Sequence, residues 1–239
     1  MLAFPWCTTL PLPKLYAGAL SFLFGLYFSY DATSPSQCLT TSATMEHFAK
    51  CMDAFTVPHD FYNAESYDAA QPDVPQRVAW MSAVRSMLEV DGDCSDISIP
   101  MALRDHYKIS PFNSFCILHE NETPSGVYRK GWGYVVVPAR WTSVKARAHI
   151  SVPHPKTDLG TPEQAAAIFA ATKANSLLVS GRQRTSFLQP SQCISPSNVG
   201  GQSYWITDPA HNDVSVALSR FRLLTDLSSL SLFLMLSPL

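Results

Sequence analysis

This chain has no excess of basic residues: 17 Lys and Arg stand against 19 Asp and Glu in 239 residues, a formal net charge of −2. A nucleic-acid binder normally carries a basic face, so no nucleic-acid partner is expected. Glycine is scarce, with 10 against 18 prolines, which describes an ordered, loop-rich protein rather than a disordered one. None of the six cysteines forms a C-x-x-C pair, which argues against a zinc ribbon or a thioredoxin-like redox site. No internal repeat is visible, and no uncharged apolar run reaches the roughly 20 residues of a comfortable membrane span.

What is present is a chain that is 46% hydrophobic and long enough to bury a sizeable core. The reading divides it into residues 1–34, an α/β domain over 35–216 and an apolar tail over 217–239. In the first part, Lys14 precedes the uncharged run Leu15–Tyr30 and the small residues Ala32, Thr33 and Ser34. That order fits a secretory signal peptide, with an uncleaved signal anchor as the alternative. A membrane is a partner only if that segment is retained. Secretion agrees with the cysteines: Cys38, Cys51, Cys94, Cys116 and Cys193 would remain, giving two disulfides and one free thiol in an oxidising compartment. Asn121-Glu122-Thr123 is the one glycosylation sequon and falls in the turn-like stretch ENETPSG.

Residues 40–56 read as a helix capped by Thr41 or Ser42. Asp73–Glu89 reads as a second, with Val74, Val78, Met81, Val84 and Leu88 forming its core-facing stripe. Phe115–Leu118 and Tyr134–Val137 are short apolar runs of strand length, the latter following Gly131-Trp132-Gly133, and they are expected to be neighbours.

The centre of the chain is His149–Arg184. Ala148–Pro153 is expected as a strand, with His149 and Ser151 on one face and Ile150, Val152 and His154 on the other. Pro153 and Pro155 end its hydrogen-bonding, placing His154 at the strand's terminus. Thr161-Pro162-Glu163-Gln164 starts a helix running to Lys173, followed by the strand Ser176–Val179 and Ser180-Gly181-Arg182-Gln183-Arg184. This is a βαβ unit, so the expected class is α/β: a single domain with an open mixed or mostly parallel sheet flanked by helices. A later polar turn, Thr207–Asn212, brings another histidine beside an acid. His154, Asp158 and His211 together make a two-histidine, one-carboxylate set suited to catalytic zinc with an open fourth position. Arg182 and Arg184 are candidates to grip the carboxylate or phosphate of an anionic small-molecule or peptide-like substrate.

This layout, a histidine and an acid after an inner strand, then a helix, a strand and a later histidine, resembles the zinc-dependent amidohydrolases and peptidases of the phosphorylase/hydrolase-like fold. N-formylglutamate amidohydrolase and poly-γ-glutamate hydrolase are examples. The resemblance spans roughly residues 110–215. It implies zinc held by His154, Asp158 and His211, an arginine on the substrate's carboxylate, and hydrolysis of a nearby amide. No glutamate follows Glu163, so the water-activating carboxylate falls to Asp208 or Asp213. The competing expectation is a non-catalytic secreted binding module using the same loops.

Overall fold

A computed structural model describes residues 32–122 and 128–188, together with the backbone of 197–199, 202–204 and 232–235. The expectations for the leader, Cys193, Asp208, His211, Asp213 and most of the apolar tail concern residues outside that set. Ala32–Leu239 forms one compact unit.

Two short helices open it, α1 (Pro35–Thr41) and α2 (Met45–Asp53); α2 lies within the helix expected over residues 40–56, and α1 was not expected. Ser42, Ala43 and Thr44 interrupt them, and Thr44 caps α2 by accepting from the His47 amide. The Cys38–Cys51 disulfide ties the two together. Helix α3 (Ala64–Ala70) and helix α4 (Val74–Leu88) both start with complete capping boxes, built on Asn63 with Ser66 and on Asp73 with Gln76. Helix α5 (Thr161–Thr172) follows Gly160, which takes the left-handed φ of 77°. Thr161 is the first helical residue, not the cap: its hydroxyl donates to the Asp158 carbonyl at 2.6 Å.

The main sheet contains β1 (Tyr107–Phe112), β2 (Phe115–Glu120), β3 (Tyr134–Pro138), β4 (Ala146–Val152) and β5 (Ala174–Val179). A separate hairpin pairs β6 (Ser197–Val199) with β7 (Gln202–Tyr204), and β8 (Leu232–Met235) joins the main sheet. The main sheet's order is β1-β2-β3-β5-β4-β8. The pairs β1–β2, β2–β3 and β3–β5 are antiparallel, whereas β5 and β8 lie parallel to β4 on either side. The sheet is therefore mixed, and α5 is the crossover of the β4-α5-β5 unit. The expected pairing of Phe115–Leu118 with Tyr134–Val137 is present.

Strand alternation divides the core between the two faces of the sheet. Tyr134, Val136, Ala148, Ile150, Val152, Leu177 and Val179 meet Phe48 and Met52 of α2 and Ala165, Ala166 and Phe169 of α5. Val135, Val137, Cys116, Leu118 and Leu178 meet α4 on the other face, where Cys94–Cys116 adds a disulfide. The α4 stripe is a correction. Val74 and Val78 are 67% and 57% exposed, and the buried side consists of Ala79, Trp80, Ala83, Val84 and Met87. Strand β1, at the edge, carries Lys108, Ser110 and Pro111 and has no continuous apolar pattern.

Glycines make one close passage possible. Gly133 has a φ of 92°, and a Cβ there would lie 1.9 Å from the Val179 carbonyl oxygen. A Cβ at Gly181 would lie 2.6 Å from the Gly133 nitrogen, so two backbones touch where β3 begins and β5 ends.

Candidate functional site

Strands β4 and β5 end at the same edge of the sheet, and open α/β sheets bind ligands beyond that edge. Val152 pairs with Val179 and Val179 with Tyr134, so all three sit at this end and on the face covered by α5. The loop leaving β4 is His154-Pro155-Lys156-Thr157-Asp158-Leu159-Gly160. Its backbone closes through the Asp158 amide, which donates to the His154 carbonyl at 3.0 Å, and the Thr161 amide, which donates to the Asp158 carbonyl at 3.2 Å. His154 Nδ1 lies 3.3 Å from Asp158 Oδ2, and both side chains are mostly buried. The sequence-expected His154 and Asp158 are thus side by side.

Lys156 occupies a left-handed position with φ of 59°. Its Nζ donates to the Ala54 and Thr56 carbonyls at 3.1 and 3.2 Å, binding the loop to the C-terminal end of α2. Asp53, in the last turn of α2, is held above the usual carboxylate range by burial, with Lys156 opposing. Around this loop three buried oxygens have no hydrogen-bond partner among the described residues: Tyr134 Oη, Thr157 Oγ1 and Glu163 Oε2. The sequence reading passed over Asp53, Tyr134, Thr157 and Glu163. Their one sequence signal was position, at the ends of elements that the βαβ pattern already brings together.

Arg182 is where the structure departs most from expectation. It is 1% exposed, one of the largest side chains fully buried in the protein. Its Nε donates to the Lys130 carbonyl at 3.1 Å, and its Nη2 donates to the Lys130 and Ala70 carbonyls at 2.5 and 3.3 Å. The guanidinium lies over the rings of Tyr62 and Tyr67, 5.3 and 5.4 Å from their centroids. Nη1 is buried without a partner among the described residues, so it is burial, with Nε and Nη2 on backbone carbonyls, that supports an internal role for Arg182 rather than the expected substrate grip. Arg184 is only partly buried and is not part of this clamp.

Glu120, 2% exposed, grips the same turn from the other side. Its Oε1 accepts from the Arg129 and Lys130 amides at 2.7 and 2.6 Å, and its Oε2 from the Gly131 amide at 2.8 Å. Burial pushes its pKa up to about 7, against the three amides and Arg182. Two further histidines are structural. His119 Nδ1 donates to the Glu120 carbonyl at 3.0 Å, which leaves Nε2 to accept from Ser110 Oγ at 2.9 Å. His149 Nδ1 lies 2.7 Å from Ser176 Oγ on the α4 side of the sheet, as alternation required. Burial brings both imidazoles down to about 4.

Asn121 of the sequon is partly buried, and its side-chain amide donates to the Arg104 carbonyl at 3.1 Å. No helix among the described residues is long and apolar enough to cross a membrane. The described residues also contain no group of three His, Cys, Asp or Glu side chains able to hold a metal. The two disulfides fit an extracellular location. Comparison of the chain with protein-family models, with curated proteins and with solved structures finds no match in any of the three.

Proposed function

We propose that the chain is a secreted, zinc-dependent hydrolase acting on an amide bond near a carboxylate, with its centre on the loop after β4. The observation that supports this is the 3.3 Å separation of His154 Nδ1 and Asp158 Oδ2. Two ligands of a tetrahedral zinc at 2.0–2.2 Å lie about 3.3–3.6 Å apart, so this pair fits two corners of such a shell. His211 is the third ligand of the proposal and Asp208 its water-activating carboxylate. Bound zinc would supply a nucleophilic hydroxide near neutral pH and polarise the scissile carbonyl. With Arg182 engaged internally, Arg184 is the arginine of this proposal that meets the substrate's carboxylate.

The alternative is a binding module in which His154 and Asp158 simply close their own loop, a reading favoured by the backbone bond between the same two residues. Elemental analysis of the purified chain separates the two. Near-stoichiometric zinc in the wild type that disappears in His154→Ala and His211→Ala supports the hydrolase. A folded wild type without metal after zinc loading and desalting refutes it and leaves the binding module.

A further inference from the structure

At the end of the sheet from which the β4 loop leaves, three buried oxygens have no hydrogen-bond partner among the described residues. Tyr134 is 2% exposed, and its ring is fixed by an edge-on contact with Phe48 at 5.7 Å. Its strand position puts it at the sheet end from which the β4 loop leaves and at which α5 begins. The loop contributes Thr157 Oγ1 and the first turn of α5 contributes Glu163 Oε2. Asp53 adds a second carboxylate: it and Glu163 each act on the Tyr134 hydroxyl and on one another. Among the described residues, the cation acting on Asp53 is Lys156, already bonded to the Ala54 and Thr56 carbonyls.

Among the described residues the local balance is two carboxylates against one committed ammonium. A buried polar atom without a partner costs free energy, so three at one place mark a position where a ligand recovers it. A primary ammonium has three N–H donors, and its charge offsets the excess carboxylate. A divalent cation matches less well, because two of the three oxygens are neutral hydroxyls. We infer that Tyr134 Oη, Thr157 Oγ1 and Glu163 Oε2 form a binding site for a primary ammonium group, with Asp53 supplying the second negative charge. Glu163 is partly buried as a residue, with Oε2 itself buried. The inference does not depend on metal at His154 and Asp158.

The test is an NMR titration of the full chain with ethylammonium chloride at constant ionic strength, following the Tyr134 ring and the Thr157 amide. Tetramethylammonium chloride, with the same charge and no N–H donor, is the control. Ethylammonium should give saturable shifts and tetramethylammonium none. A charge-assisted bond is lost in Glu163→Gln, which should weaken binding about tenfold. Tyr134→Phe loses one neutral bond and should weaken it roughly fivefold. Tyr134→Phe removes a hydroxyl that has no partner among the described residues, so it should fold at least as well as the wild type. Shifts that do not saturate, equal binding of tetramethylammonium, or wild-type affinity in both variants would overturn the site. Because zinc loading is measured separately on His154→Ala, failure here is distinct from failure of the hydrolase proposal.

Discussion

Replacing Arg182 by alanine separates an internal clamp from a substrate grip. The guanidinium donates to the Lys130 and Ala70 carbonyls, stacks against two tyrosines and opposes the upward shift of Glu120. The backbone of Lys130 is thereby held from two sides, with its amide on Glu120 and its carbonyl on Arg182. Removing one member of such a buried charged network costs about 3–5 kcal/mol. Against a total stability of about 5–15 kcal/mol, Arg182→Ala should remain folded but markedly weakened. With a urea slope near 2 kcal/mol/M, its unfolding midpoint should drop by roughly 2 M. Arg182→Lys should recover only a minority of the loss, since an ammonium reproduces neither the fork nor the stacking. Equilibrium urea unfolding followed by tryptophan fluorescence measures this directly. A loss under about 1 kcal/mol at unchanged slope would refute the clamp, because surface substitutions fall in that range.

Glu120 gives a pH prediction. Its folded pKa of about 7 lies above the unfolded value of 4.5, so its contribution is complete below pH 4.5 and lost as pH rises through 7. Wild type should therefore lose about 3 kcal/mol relative to Glu120→Gln between pH 4.5 and 7.5, and a constant difference across that range would refute it. His119 and His149 act oppositely: each stabilises as a neutral ring, and that stability falls as pH drops from 6.5 toward 4. Thermal scans of His119→Gln and His149→Gln should show a shallower acid loss than wild type. On α4, Val78→Lys should change stability by no more than about 0.5 kcal/mol while Trp80→Ala costs about 3–5 kcal/mol. The reverse order would restore the valine stripe. The disulfides close spans of 13 and 22 residues, each worth about 3 kcal/mol. Cys94→Ser with Cys116→Ser should lower Tm by roughly 10 °C in calorimetry.

The βαβ unit was legible because its signals are local: prolines ending a strand, a proline-led helix start and strict alternation that separates His149 from Ile150. The α4 face was misread because the valines are conspicuous in sequence, whereas three of the five residues that pack are two alanines and a methionine. Strand β1 was missed although Tyr107 to Ser110 alternate, because the run is short and Pro111 argues against a strand. The Arg182–Glu120 clamp was illegible for another reason. Its members are far apart in sequence, and a charged side chain looks like a surface residue until the turn that receives it has been placed. The sites around the β4 loop were half visible, since position on the sheet was readable and the unpartnered oxygens were not.

The same irregularity that concealed β1 governs how the protein meets copies of itself. An open sheet edge presents unpaired backbone groups on which another chain can assemble, the usual first step toward fibrous aggregates. Pro111 offers no amide hydrogen there, and Lys108 places a charge on the strand; its ammonium also reaches back to Ser36 Oγ at 3.0 Å. A regular ladder added outside β1 would lose a bond at the proline and crowd the lysine. The strand thus ends the sheet chemically as well as spatially, and a more regular sequence there would be easier to read but more prone to self-association.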